Sequence, residues 1–134
     1  MARVVIIDTT VWIDYLSGAP TPQADWLDRE VSGRRIGLTD VILCEVLQGV
    51  RDDQLFAEVQ AELLNFEVFS TGGVELAIAT ARNYRLLRAR GRTVRTTIDA
   101  LIATFCLLNG HALLHHDRDF DHFEQVLGLQ VVHP

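Results

Sequence analysis

Apolar and polar positions along the chain alternate between two patterns, short apolar runs and longer stretches with helical spacing. The run VVII at 4–7, β-branched throughout and too short for a typical helix, predicts a strand over 3–8 that is covered on both faces. A helix is expected from Thr9 or Thr10 to Leu16, ended by Ser17-Gly18, and another over 22–32, with Ala24, Leu27 and Val31 on one face and Gly33 beyond. Strand 35–39 precedes helices at 40–50, capped by Thr39 or Asp40, and 52–66, where Leu55, Val59, Leu63 and Phe66 share a face. Strand 67–70 and Gly72-Gly73 lead to a long helix over 74–90, ended by Gly91. The remaining elements are a helix over 97–109 that stops at Gly110, strand 112–115, a short helix over 120–126 and a strand over 130–132. Buried strands alternating with helices give an α/β fold, a parallel sheet with helices on both faces, in a single domain over 1–134.

Composition fits that picture. A chain of 134 residues, 49% hydrophobic, buries roughly two thirds of its unfolded surface. No apolar run approaches the roughly 20 residues of a membrane span, and MARVVIID lacks the features of a secretory signal, so a cytoplasmic protein without membrane contact is expected. Cys44 and Cys106 lie in apolar surroundings without metal-ligand spacing and are read as reduced core residues.

The net charge of −6 argues against a nucleic-acid partner until its distribution is considered. All 12 basic residues are arginine, and six of them (Arg82, Arg85, Arg88, Arg90, Arg92, Arg95) fall between 82 and 95, where there is no acid. This stretch is either a solvated helix end, where cations are favoured anyway, or a grip for a nucleic-acid phosphate backbone, with Arg85, Arg88 and Arg92 as the candidates.

Four acids stand where a charge is expensive. Asp8 closes the first strand, Asp117 follows the strand at 112–115, Glu45 interrupts the apolar helix VILCEVL, and Asp99 opens TIDALIATF. In an open parallel sheet, ligands sit outside the carboxyl ends of the strands, so Asp8 and Asp117 meet at one edge if their strands are neighbours. Singly, each acid has an ordinary explanation as a cap, a turn former or an arginine partner. Together they would repel unless protons or a cation neutralise them, and hard oxygen ligands without His or Cys suit Mg²⁺ or Mn²⁺. A calcium loop at DRDFDHFE fails, because its sixth position is His122 where Gly is needed.

Asp8-Thr9-Thr10 followed by VWIDYL, Glu45, IDALIATF around Asp99 and LLHHDRDF around Asp117 resemble the PIN-domain ribonucleases, particularly the VapC toxins of toxin–antitoxin pairs. The resemblance covers essentially the whole chain. It implies a five-stranded sheet of order 3-2-1-4-5 and a Mg²⁺-dependent (or Mn²⁺-dependent) endoribonuclease that cuts structured RNA such as tRNA or rRNA. Asp8, Glu45, Asp99 and Asp117 match the family's four acids, with Asp8, Asp99 and Asp117 as metal ligands. Asp119 matches a frequent fifth acid and Thr10 the hydroxyl that supports the first. The chain departs from the pattern at His115, where many relatives carry Thr or Ser. The resemblance further implies a VapB-type antitoxin and a homodimer; Trp12, Tyr15, Leu16 and Leu55 are either part of the antitoxin-binding face or ordinary core. The alternative is a PIN-like module that holds RNA or a partner without turnover. A phospho-acceptor receiver domain would need a lysine, which the chain lacks, and a haloacid-dehalogenase phosphatase a second acid after Asp8-Thr9.

Overall fold

The computed structural model describes residues 3–134; Met1 and Ala2, the start of the domain expected over 1–134, lie outside them. Eleven elements follow one another: β1 (Val4–Ile7), α1 (Thr9–Ser17), α2 (Pro22–Glu30), β2 (Arg35–Thr39), α3 (Asp40–Gln48), α4 (Asp53–Leu63), β3 (Glu67–Phe69), α5 (Val74–Ala89), α6 (Thr97–Asn109), β4 (Ala112–Leu114) and α7 (Asp119–Leu127). The strands form a parallel sheet of order β3-β2-β1-β4. Every residue of β1 and β4 is buried, and since alternate residues of a strand point to opposite faces, both faces of the sheet centre are covered. The apolar runs of these strands join Trp12, Leu27, Ile42, Leu63, Leu87, Ile102, Phe120 and Phe123 in one continuous core.

The helix starts follow from hydroxyl and carboxylate caps. Thr21 accepts from the Ala24 N–H at 3.1 Å ahead of Pro22, Thr39 from Ile42 at 3.2 Å, Asp52 from Leu55 at 2.8 Å and Thr96 from Asp99 at 3.1 Å. Each satisfies a backbone donor that the first turn leaves free. Gly37 is required by packing: a Cβ there would lie 2.9 Å from both the Glu67 carbonyl oxygen on β3 and the Phe69 ring.

Two expectations are corrected. The fifth strand is absent among the described residues, and the sheet has four. Segment 130–132 makes a single parallel bridge, Leu113 to Val131, with Leu113 donating to the Gln130 carbonyl and accepting from the Val132 N–H. The cause lies in β4. A strand of three residues turns only its middle residue's backbone groups to its outer side, so Leu113 alone offers them to 130–132 while Leu114 faces β1. The other correction concerns Cys44, which is exposed, whereas Cys106 is buried as expected.

The strand order creates the ligand crevice. From β1 the chain steps to β2 and β3 on one side, then returns to place β4 on the other side of β1. The order reverses between β1 and β4, and the crevice outside their carboxyl ends is where such sheets bind.

Candidate active site

Asp8 leaves β1 directly into that crevice. Its N–H continues the ladder to the Leu114 carbonyl at 3.0 Å, and its carbonyl accepts from Trp12 to start α1. Although Asp8 occupies the N-cap position of α1, its side chain makes no capping bond to the helix. The first turn meets it instead through the Thr9 N–H. Thr10 Oγ1 donates to Asp8 Oδ2 at 3.3 Å, the support expected of that hydroxyl. Asp8 is only 5% exposed, and burial, joined by the charges of Asp99 and Glu45, pushes its carboxyl up to about 7.

The other acids close round it from α3, α6 and the segment after β4. Glu45 is held by Thr9 Oγ1, which donates to Oε1 at 2.6 Å and links α1 to α3. Asp99 sits half-buried in the first turn of α6, its carboxyl raised to about 6 by burial and then by Asp117, Glu45 and Asp119. Asp117 and Asp119 are tied together, because the Asp119 N–H donates to Asp117 Oδ1 at 2.9 Å. The fold thus brings Asp8, Glu45, Asp117 and Asp119 each within electrostatic reach of Asp99. It does not close them into a cage: among the described residues, no three His, Cys, Asp or Glu are gathered tightly enough to hold an ion unaided. An open set still suits Mg²⁺, which keeps several of its waters and is commonly held by one or two carboxylates together with substrate phosphate. All the donors are hard oxygens, and the raised carboxyls of Asp8 and Asp99 would return towards ionisation beside a cation.

His115 replaces the expected hydroxyl in a defined way. Its Nδ1 accepts from the Asp117 N–H at 3.0 Å, which leaves the proton on Nε2. That atom is buried without a partner, the ring packs on Phe120 with centroids 4.8 Å apart, and burial holds the imidazole below its usual range.

The arginine stretch divides. Arg82, Arg85, Arg88 and Arg90 are exposed on α5 and its end, with the Arg88 guanidinium over the Tyr84 ring at 5.7 Å. Arg92 is partly withdrawn, donating to Gln125 on α7 at 2.5 Å. Arg95 turns back onto the acids. Its Nη2 reaches Asp117 Oδ1 at 3.0 Å, and its Nε and backbone N–H both reach Asp119 Oδ2, at 3.0 and 2.9 Å. Sequence reasoning left both Thr9 and Arg95 out of the site. Nothing local marks Arg95, whose partners lie more than twenty residues away, and Thr9 carried a weak signal only as a second hydroxyl beside Asp8.

Of the candidate antitoxin contacts, Trp12 is removed. It is fully buried and packs on Phe66 with centroids 4.9 Å apart, so it belongs to the core. Leu16 and Leu55 instead line a groove of about 250 Å³ between α1, α3 and α4, with Ile13, Val46, Val50 and Val59.

Known proteins match this architecture. The PIN domain family model matches residues 5–126. The VapC ribonuclease Mb1587 of Mycobacterium bovis is 29% identical over 94% of this chain and 96% of its own length, and ribonuclease VapC11 of Mycobacterium tuberculosis matches to the same extent. Among solved structures, VapBC2 from Rickettsia felis, bound to a DNA fragment from its promoter, superposes with a TM-score of 0.76 at 14% identity, covering 96% of this chain and 97% of that one. No helix of the described residues is long and apolar enough to cross a membrane. With the family model spanning the sheet from β1 to α7, and Asp8, Glu45, Asp99 and Asp117 gathered at its switch point, the chain belongs to the PIN-domain family.

Proposed function

We propose that the protein is the ribonuclease toxin of a toxin–antitoxin pair, a Mg²⁺-dependent (or Mn²⁺-dependent) endoribonuclease acting on structured RNA such as tRNA or rRNA. The observation that carries this reading is a pair of acids, buried Asp8 and half-buried Asp99, whose carboxyls are raised by burial and then by neighbouring acids at the crevice where the sheet order reverses. Such an arrangement weakens the fold and is useful chiefly when a cation enters it. The VapC names of the relatives and the toxin–antitoxin setting of the structural neighbour support the same reading.

Asp8, Asp99 and Asp117 would hold the cation. When bound, it would polarise the scissile phosphate and lower the pKa of an attacking water. The chain's own part is positional and electrostatic. Thr10 steadies Asp8, Thr9 fixes Glu45 where its carboxylate can take a proton from water, and His115 fixes the backbone of Asp117. Arg85, Arg88 and, after leaving Gln125, Arg92 would grip the RNA backbone, supplying affinity and salt dependence more than sequence choice. A VapB-type antitoxin would restrain the enzyme by laying an apolar segment in the groove of Ile13, Leu16 and Leu55. A homodimer, the state the resemblance implies, is read by light scattering.

The test incubates the purified chain with total bacterial RNA in Mg²⁺, Mn²⁺ or EDTA, beside Asp99→Asn, and maps the 5′ ends of fragments. Discrete metal-dependent cuts that vanish in the folded variant are expected. RNA that is bound and left intact in every metal would replace this reading with the module that holds RNA without turnover.

A further inference from the structure

Arg95 is placed unlike the other arginines of its stretch. Its guanidinium forks across two carboxylates, Nη2 to Asp117 and Nε to Asp119, both at 3.0 Å. The backbone around it is fixed independently, since the Arg95 N–H also bonds Asp119 at 2.9 Å. The side chain itself is 67% exposed and solvent-backed, whereas that of Asp119 is 8% exposed. The guanidinium can therefore leave without disturbing the loop that carries it, while Asp119 stays in place.

We propose that Arg95 is a resident counter-ion of the acidic crevice that competes with the divalent cation, so that filling the site requires the Arg95 side chain to swing out. This rests on the reading of the crevice as a cation site. The physical reason is that two cations on the same carboxylates repel, and Asp117 Oδ1 already accepts from both Arg95 and the Asp119 N–H. The arrangement also divides the acids by how their charge is met. Asp117 and Asp119 have a permanent positive partner, whereas Asp8 and Asp99 have none within the described residues. A crevice neutralised in this way holds together without metal, and gives up part of its cation affinity in return.

The test is calorimetric titration of Mn²⁺ into the native chain, Arg95→Gln, Arg95→Lys and Asp99→Asn, with thermal melts to confirm folding. Arg95→Gln is expected to bind Mn²⁺ about three- to tenfold more tightly than the native chain, the size of two exposed ion pairs released from competition. Arg95→Lys, which keeps the charge and loses the fork, is expected to fall between them. In the native chain, adding diamagnetic Mg²⁺ should shift the Arg95 Nε–H resonance. Equal or weaker Mn²⁺ binding by Arg95→Gln, with Asp99→Asn still impaired, would overturn the competition and leave the cation site standing. No Mn²⁺ binding by any of the four would overturn both.

Discussion

Replacing Asp8 by asparagine removes a charge from the end of β1 and keeps the side chain's shape, so its effect on stability measures what that charge costs. The Asp8 carboxyl titrates at about 7 in the folded chain against an ordinary 3.8, chiefly because it is buried. Between those values the folded form holds a proton that the unfolded form has lost. Stability therefore falls as pH rises from about 4 through about 7 and levels off above. At ~1.4 kcal/mol per tenfold change in proton affinity, the full swing is about 4 kcal/mol, of which about 2–3 kcal/mol lies between pH 5 and pH 8. In Asp8→Asn this share of the swing should vanish. The variant should match the native chain at pH 5 and exceed it by about 2–3 kcal/mol at pH 8, since the amide still accepts from Thr10 and has no charge to lose water from.

Urea unfolding in EDTA at the two pH values, followed by the fluorescence of Trp12 and Trp26, both buried, gives the comparison directly. His115, whose imidazole is held below its usual range, contributes a slope of opposite sign, but in both proteins alike, so it cancels in the difference. Added Mg²⁺ at pH 8 should stabilise the native chain and leave the variant unchanged, because a ligand stabilises only the state that binds it. An equal fall in stability from pH 5 to pH 8 in the two proteins would refute the reasoning, since Asp8 would then carry no buried, uncompensated charge.

Three further outcomes follow from the geometry. Changing Arg85, Arg88 and Arg92 together to Ala should weaken RNA binding and flatten the plot of log affinity against log salt by about 2, at roughly 0.7 per phosphate contact on single strands; an unchanged slope would return these residues to the role of a solvated helix end. His115→Phe keeps the packing on Phe120 but leaves the Asp117 N–H without its acceptor, which should cost about 1–2 kcal/mol in urea unfolding, whereas His115→Asn, whose Oδ1 stands where Nδ1 stood, should recover most of the loss. Gly37→Ala forces a methyl group against the Glu67 carbonyl oxygen and should destabilise the sheet by about 1–3 kcal/mol, read as a lower urea midpoint.

The parts of the fold that were legible are those fixed by local chemistry. VVII can be little other than a buried strand, and Thr39 announces α3 because a free N–H in the first turn selects an oxygen at that position, the same chemistry by which Thr21, Asp52 and Thr96 start their helices. The fifth strand was misread because QVV has strand composition, while pairing depends on what the neighbour offers, and β4 offers Leu113 alone. Trp12 stayed open between core and partner for a related reason. Helical spacing shows which side chains of α1 turn inward, but not whether they meet the protein's own Phe66 or a partner.

The acids were legible singly, as charges in apolar settings, yet what joins them could not be read from spacing. Thr9 to Glu45 and Arg95 to Asp119 are contacts across 36 and 24 residues that exist only once the sheet has closed. Those contacts give the crevice two unlike halves. In one, Asp117 and Asp119 are bridged by the Arg95 guanidinium. In the other, Asp8 and Asp99 find no such partner, and burial raises both carboxyls. An ionised Asp8 alone costs about 4 kcal/mol, a large part of the roughly 5–15 kcal/mol by which domains of this size are stable. A lone acid buried for packing would be replaced at a gain in stability by any apolar residue of its volume. Asp8 stands buried between β1 and α1 without a side-chain capping bond, in a crevice where Glu45 and Asp99 add their charge to its own, and this is the arrangement of a group kept for what it binds.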